Sequence, residues 1–396
     1  GRLVRLDPAS ESINFAYGLS WLSIGDPAPA GAAFERILQV NPKNDRARVE
    51  LARARVAAKR YAEAKKELEK VLASELPTAV EQGVQACLKD LKNRMTRWFY
   101  SGNVDFGVLY DSNVNIGPDS QIIHISPVTV YGTRITELQL QEQSKPTDTA
   151  GFYAAAGARS LYDLGEPNDW LMTADAALYR NWLKEDDYET GSAQAGIGAK
   201  LMLDRGFLQL PYRLRYFEYG GDALAWIHGF YPSYAYAPAR INGISLVTTA
   251  TAELWNFDAL AGRDGYYLSL GEIVRKSFAG GKYNIYGGAE LQYNHADSRI
   301  YGYDGIGVLA GVDVRLPWKL NAMAEARFFN RNYAEKDLLA PETRKDNQYI
   351  FSAGLLREIS ARFTITLLHN IINNDSSFEL YEYERNMTTL STSYKF

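Results

Sequence analysis

Two grammars of hydrophobic and polar positions divide the chain near residue 95. Beyond it, side chains alternate with a period of two. Trp98, Tyr100, Val104, Phe106, Val108 and Tyr110 fall on one face, with Ser101, Asn103, Asp105 and Asp111 on the other. Leu208, Leu210, Tyr212, Leu214 and Tyr216 oppose Gln209, Arg213 and Arg215. Tyr283, Ile285, Leu291 and Tyr293 alternate with Asn284, Glu290, Gln292 and Asn294, and Leu320, Ala322, Ala324, Ala326 and Phe328 stand against Asn321, Glu325 and Arg327. One apolar face and one charged face is what a strand between lipid and a wet lumen requires.

Turn signals cut this part into about fourteen segments. The strands are expected over 97–111, 148–162, 169–182, 189–203, 207–218, 228–240, 244–255, 265–277, 282–295, 305–316, 319–333, 348–359, 362–374 and 381–396. Alternate connections are short, as at Asp204-Arg205-Gly206, Ile241-Asn242-Gly243, Pro317-Trp318 and Ser360-Ala361-Arg362. Those between them are longer and polar, at 112–147, 219–227, 296–304 and 334–347. A soluble β-sandwich also alternates but lacks that asymmetry. The expected fold is therefore an α + β multidomain chain, with a helical domain over 1–95 and a 14-stranded antiparallel transmembrane β-barrel over 96–396.

Residues 1–95 carry helical spacing, and they repeat. With Pro42 closing a 34-residue unit, Gly18 takes the small position where two helices touch and Trp21 the bulky position in the groove. Ala30, Phe34 and Ile37 follow on the second helix. The next unit repeats the pattern with Ala52, Ala64, Leu68, Val71 and a closing Pro77. This is the tetratricopeptide pattern, in which small residues permit close helix packing and proline ends each unit. Leu6-Asp7-Pro8 reads as the end of an earlier repeat, and residues 79–94 as a capping helix. The chain opens at Gly1 without a signal peptide, so a processed or truncated form is expected.

Composition sharpens the division. The first 95 residues hold 16 Lys/Arg and 12 Asp/Glu, leaving 27 basic and 35 acidic residues for the remainder. A net charge of −4 gives no global grip on nucleic acid, so no nucleic-acid partner is expected. Tyrosine is abundant, at 27 residues, which suits aromatic girdles at membrane interfaces. Trp98, Tyr212, Tyr283 and Tyr394 are expected to point outward. A single cysteine, Cys87, excludes an internal disulfide and reads as a small buried hydrophobe. No apolar run is long enough for a transmembrane helix.

Candidate chemistry is sparse. Asp111-Ser112-Asn113-Val114-Asn115 has oxygen side chains at alternate positions, but Ile116 and Ile122 stand where a calcium loop of the EF-hand type needs Gly and Glu. Side-chain turns with their own backbone are the expectation there. His124 and Ser126 have the spacing of an outer-membrane phospholipase pair, without a third orienting group nearby. His295 with Asp297 and His369 with Asn370 read as rim residues. No catalytic residue, cofactor or metal is expected. Asp105, Arg213, Arg215, Glu290, Glu325 and Arg327 are assigned to the lumen, because a charge facing mid-membrane lipid costs roughly 2–4 kcal/mol. Arg357 is a further strand charge. The run Lys59, Arg60, Lys65, Lys66 and Lys70 reads first as a solvated helix face. Together with Trp21, Lys59, Arg60, Lys65 and Lys66 form the candidate cargo-binding set, able to meet acidic cargo or phospholipid head groups.

The order of parts resembles the surface lipoprotein assembly modulators. In that family tetratricopeptide repeats precede a barrel of about 300 residues, and here the first strand leads into Tyr110-Asp111-Ser112-Asn113-Val114-Asn115. The resemblance covers essentially the whole chain, although the best-known members are longer at the amino end. It implies a bacterial outer-membrane protein, with the N-terminal domain in the periplasm, that delivers a lipoprotein or small secreted protein to the cell surface. Its partners would be protein cargo, outer-membrane lipid and, during biogenesis, the barrel-assembly machinery. The terminal Phe396, on the same face as Leu390, Thr392 and Tyr394, resembles the signal that machinery reads. The alternatives are an exopolysaccharide export porin, which also joins repeats to a barrel, and a passive diffusion porin.

Overall fold

The structure, a computed structural model, describes residues 10–165, 169–239 and 241–396, apart from the side chains of Asn93, Arg94 and Ala261. Leu6-Asp7-Pro8 lies outside the described residues. The chain divides into two compact units, Gly1–Arg97 and Trp98–Phe396.

Five helices are described in the first unit: α1 (Glu11–Ser23), α2 (Pro27–Val40), α3 (Asp45–Ala57), α4 (Tyr61–Leu72) and α5 (Thr78–Met95). Side-chain oxygens of Ser10, Asp26 and Asn44 cap the first three by accepting first-turn N–H groups, and Pro27 opens α2 where no N–H is needed. Gly18 on α1 is where the helices touch. A Cβ there would lie 2.6 Å from Cζ of Phe34, which is fully buried. Ala30, Phe34, Ile37, Ala47, Leu51 and Ala54 make one core cluster. Ala52, Ala64, Leu68, Val71, Val84 and Leu91 make the next. Burying a side chain such as Phe34 contributes about 1.5–3 kcal/mol. Cys87 departs from expectation and is exposed. Val84, Leu88 and Leu91 already occupy the side of α5 that meets the core, and Cys87 stands off it.

The second unit is a closed antiparallel barrel. Its wall runs through β1 (Trp98–Asp111), β4 (Thr149–Asp163), β5 (Trp170–Leu183), β6 (Thr190–Leu203) and β7 (Gly206–Tyr219). It continues through β8 (Asp222–Phe230) with β9 (Ser233–Tyr236), then β10 (Ile244–Phe257), β11 (Gly265–Phe278), β12 (Tyr283–Ala296) and β13 (Tyr303–Leu316). The last four are β14 (Leu320–Tyr333), β15 (Lys345–Glu358), β16 (Phe363–Ser376) and β17 (Tyr383–Lys395), and β17 pairs with β1 to close the ring. β8 and β9 are one strand of the wall. Pro232 has no N–H to donate, yet the register against β7 is the same on both sides, with Tyr212 opposite Phe230 and Gln209 opposite Ser233. The wall thus has fourteen strands.

A 14-residue strand at about 3.4 Å per residue, tilted as barrels require, rises roughly 35 Å, enough to cross a hydrocarbon layer. Among the described residues no helix is long and apolar enough to cross a membrane. Trp98, Tyr212, Tyr283 and Tyr394 are all exposed, at 51, 46, 41 and 36%. Aromatic rings gather near both ends of the wall. Trp98–Tyr162 and Phe363–Tyr394 lie at the short-turn end, with centroids 4.6 and 5.3 Å apart. Tyr216–Trp226 and Tyr266–Tyr293 lie at the long-loop end, at 4.7 and 5.9 Å. Amphipathic rings settle at such depths.

Two expectations about connections fail. The loop over 219–227 is a two-residue turn, Gly220-Gly221, and strand pairing resumes at Asp222. Both glycines have positive φ, 59° and 86°, the backbone a tight hairpin turn demands. The segment 112–147 contains a second, two-stranded sheet, β2 (Ile122–Val130) and β3 (Thr133–Gln139). Its alternation is weak because β3 is exposed nearly throughout.

Candidate functional site

On the face of the wall assigned to the lumen, charges pair across an intervening strand. Asp175 on β5 accepts from Nε of Arg213 on β7 at 3.2 Å, reaching past β6. Arg215 on β7 donates to Glu253 on β10 at 2.5 Å, and Arg275 on β11 to Asp313 on β13 at 2.8 Å. Each of these pairs is 38 residues apart, the length of two strands with their turns. The strand between must keep clear. A Cβ at Gly196 on β6 would sit 2.9 Å from Cγ of Arg213 and 3.0 Å from Oδ1 of Asp175. The Tyr231 ring lies between the two arginines, with their guanidinium carbons 5.6 and 5.5 Å from its centroid.

The remaining lumen candidates also have partners. Glu290 accepts from Tyr267 Oη at 3.3 Å and from Gln292 Nε2 at 2.5 Å. Glu325 accepts from Arg327 Nε at 2.5 Å and from Tyr286 Oη at 3.0 Å. Asp105 accepts from the Asn103 amide two residues earlier. Asp175, Glu253, Asp313 and Tyr231 went unmarked by sequence reasoning. The three acids stand 38 residues from their arginines, a spacing that strand register rather than any local pattern sets.

The stretch Tyr110–Asn115 is a fastening. Asp111 is 2% exposed and its carboxylate accepts both Nε and Nη2 of Arg385 on β17. Its Oδ1 also accepts from the Asn113 N–H at 3.0 Å. The buried Asn113 amide donates to the carbonyls of Gly117 and Glu384, at 2.9 and 3.0 Å, and its Oδ1 accepts from Gly117 N–H at 2.7 Å. Asn115 donates to Lys145 O at 2.7 Å and accepts from Thr147 N–H at 2.9 Å, tying the two ends of the loop together. Tyr110 is exposed, while Ser112 Oγ accepts from Asn386 N–H at 2.8 Å. Among the described residues no group of three or more His, Cys, Asp or Glu is arranged to hold a metal ion. His124 and Ser126 both sit on β2. There Ser126 Oγ donates to Ala340 O at 2.6 Å and the imidazole meets Glu379 at 2.8 Å.

In the helical unit the candidate set is distributed rather than convergent. Trp21 packs against the first core cluster and edge-on to Tyr17, centroids 5.9 Å apart. Lys59 takes a positive φ of 60° in the α3–α4 turn. Arg60, preceding α4, pairs with Glu63 at 2.6 Å, which holds that exposed carboxyl below its ordinary range. Lys65 lies 3.7 Å from Glu69, and Lys66 is exposed.

Similarities to known proteins follow the same division. Residues 22–82 match a tetratricopeptide-repeat model, and residues 100–396 match the model of the surface lipoprotein assembly modifier family. No curated protein matches the chain. Similar solved structures include an anion-selective porin from Comamonas acidovorans, at 9% identity and TM-score 0.41, covering 76% of this chain and 99% of that one. OmpT of Vibrio cholerae shows 6% identity and TM-score 0.44 over 76% and 97% of the two chains. The translocator domain of the autotransporter NalP from Neisseria meningitidis shows 10% and 0.31 over 79% and 97%. Likenesses this low carry no argument about function. The family match spans the barrel from its first strand to its last residue, and so the chain, tetratricopeptide repeats followed by an outer-membrane barrel, belongs to the surface lipoprotein assembly modifier family.

Proposed function

We propose that this protein delivers a lipoprotein, or a small secreted protein, from the periplasm to the cell surface. Family membership over residues 100–396, with helical repeats directly ahead of β1, is the observation that carries this reading. Family and fold are those of a transport barrel. The repeats recruit cargo, with Trp21, Lys59, Arg60, Lys65 and Lys66 as the contact set, and the barrel's inner face, with Asp105, Arg213, Arg215, Glu290, Glu325 and Arg327, borders the route. The chain enters β1 at the short-turn end, and fourteen strands return Phe396 to that end. Short turns face the periplasm in outer-membrane barrels, so cargo meets residues 11–94 first. Lipid surrounds the outer wall, and the assembly machinery inserts it through its terminal strand.

The test compares cells carrying the full chain with cells carrying a deletion of residues 1–94. Surface-exposed lipoproteins are read by protease shaving of intact cells, and barrel folding by heat-modifiability. The expected result is a folded barrel with lipoprotein display sharply reduced and a protected periplasmic pool. Normal display by the truncated barrel would sink the recruitment reading.

Polysaccharide export is the second reading, favoured by inner aromatics such as the stacked pair Trp255–Tyr267 at 5.8 Å and the tilted pair Tyr303–Tyr333 at 5.5 Å. Arginines already lie against several of these rings, however. Arg331 is 5.5 Å from the Tyr303 centroid and Arg344 is 4.2 Å from that of Tyr333. Loss of a surface glycan with unchanged lipoprotein display in the same deletion would select this reading.

A further inference from the structure

The loop after β1 is tied, step by step, to the segment that precedes β17 and begins it. Ser112 N–H donates to Asn386 O at 3.0 Å and Asn113 to Glu384 O at 3.0 Å. Asp119 N–H donates to Glu382 O at 3.0 Å, while its carboxylate accepts from Glu384 N–H at 3.1 Å. At the hairpin, Glu379 accepts from His124 N–H at 2.7 Å, and its two oxygens lie 2.8 and 3.1 Å from Nδ1 of the same histidine. Nε2 faces Glu137 of β3 at 3.6 Å. Beneath these contacts Ile123 and Ile125 pack with Ala340 and Phe378, and Ser126 N–H donates to Leu339 O at 2.8 Å. Most of these ties do not titrate near neutrality. The histidine does.

We propose that the β2–β3 hairpin is a pH-sensitive latch across the seam where first and last strands close the barrel, gripping the β16–β17 connection when His124 is charged and loosening as the medium turns alkaline. The charged groups around it come from every element it touches. Glu137 is on the hairpin, Asp119 on the loop before it, and Asp375, Glu379, Glu382 and Glu384 on the β16–β17 segment. Asp337 and Arg344 lie in the β14–β15 loop and act on Tyr381. The hydrogen bond and then the charge of Glu379, with Glu137 behind, push the imidazole above its ordinary value. Burial, followed by repulsion from Asp119, Asp375 and Glu379, pushes the Glu382 carboxyl up as well. A group whose folded value is raised contributes stability that is present below its ordinary value and lost as pH rises through the raised one. Both groups therefore act in the same direction. His124 is exposed and its ion pairs are modest, so opening changes by about two- to five-fold rather than completely.

The test uses the full chain in detergent micelles, with Cys87→Ser as background and either Ile123→Cys or Ile125→Cys as reporter. Both positions are buried, at 2 and 5% exposure, so a maleimide reaches them only when the hairpin lifts. Each labelling rate is divided by that of Tyr131→Cys, a fully exposed hairpin-tip position, at the same pH, which removes the thiol's own titration. The normalised rate should rise about two- to five-fold between about pH 5.5 and about pH 8.5. At low pH His124→Gln and Glu379→Gln should label faster than the unaltered chain, with a smaller rise on going to high pH, and heat-modifiability confirms folded barrels. A flat normalised rate at both reporters, or a rise of undiminished size in His124→Gln, overturns the latch.

Discussion

Asp111 at the end of β1 and Arg385 near the start of β17 form a two-pronged ion pair in which the carboxylate is almost wholly buried. The pair joins first strand to last. Removing one partner leaves a buried charge uncompensated, which costs about 3–5 kcal/mol. Arg385→Met should therefore lower the temperature at which the barrel loses its folded gel mobility, and Asp111→Asn should do so less, since an amide still accepts from Asn113. The double variant should lose less than the sum of the two singles, as contacting residues do.

Gly196 keeps the space through which Asp175 and Arg213 meet. Gly196→Val would push the two apart and force local rearrangement, at about 1–3 kcal/mol. The expected readout is a lower heat-modifiability midpoint. Gly83→Val, where a Cβ meets nothing within 4 Å, is the control that should leave the barrel midpoint unchanged.

Glu67 is 6% exposed and takes cations from three sides, with Arg48 Nη1 at 2.8 Å, Arg55 Nη1 at 3.0 Å and Lys70 Nζ at 3.1 Å. Burial works to raise its pKa, but hydrogen bonds from Arg48 and Lys70 outweigh burial and the carboxyl is held below its ordinary value of 4.5. A depressed value means stability present above the ordinary pKa and lost as pH falls through the folded one. The helical circular dichroism of the full chain should therefore decline on acidification from about pH 6 to about pH 3. Glu67→Gln should flatten that decline and weaken the helices at neutral pH.

Phe396 lies against Gly102, with backbone hydrogen bonds of 3.0 Å in both directions, and stacks with Tyr394 at 6.5 Å. Deleting Phe396, or changing Tyr394→Asp, should reduce the yield of heat-modifiable barrel in cells. Unchanged yield and mobility in both variants would remove the terminal strand from the assembly reading.

Most of the barrel was legible because its signals are local. Alternation along β1, β7, β12 and β14 needs only the two-residue period of a strand, and turns such as Asp204-Arg205 announce themselves by composition. The repeats were legible for a similar reason, since Gly18 and Phe34 belong to a template of fixed spacing. Gly220-Gly221 was overlooked because a tight turn at the long-loop end breaks the pattern of its neighbours. The hairpin β2–β3 was hidden because Ile123 and Ile125 complete their cluster with Ala340 and Phe378, far along the chain.

By itself, then, the sequence determined strand count, the two-unit order and which face of each strand is apolar, because these follow from side-chain period and turn chemistry within a dozen residues. Tertiary structure alone decided which charges meet. Asp111 needs Arg385, which lies 274 residues away, and Asp175 needs Arg213 two strands over. Such pairings depend on register and on ring closure, which no local pattern encodes. The same closure made Asp111-Ser112-Asn113 a fastening, for only when β17 returns beside β1 do these short polar side chains find the backbone that they hold.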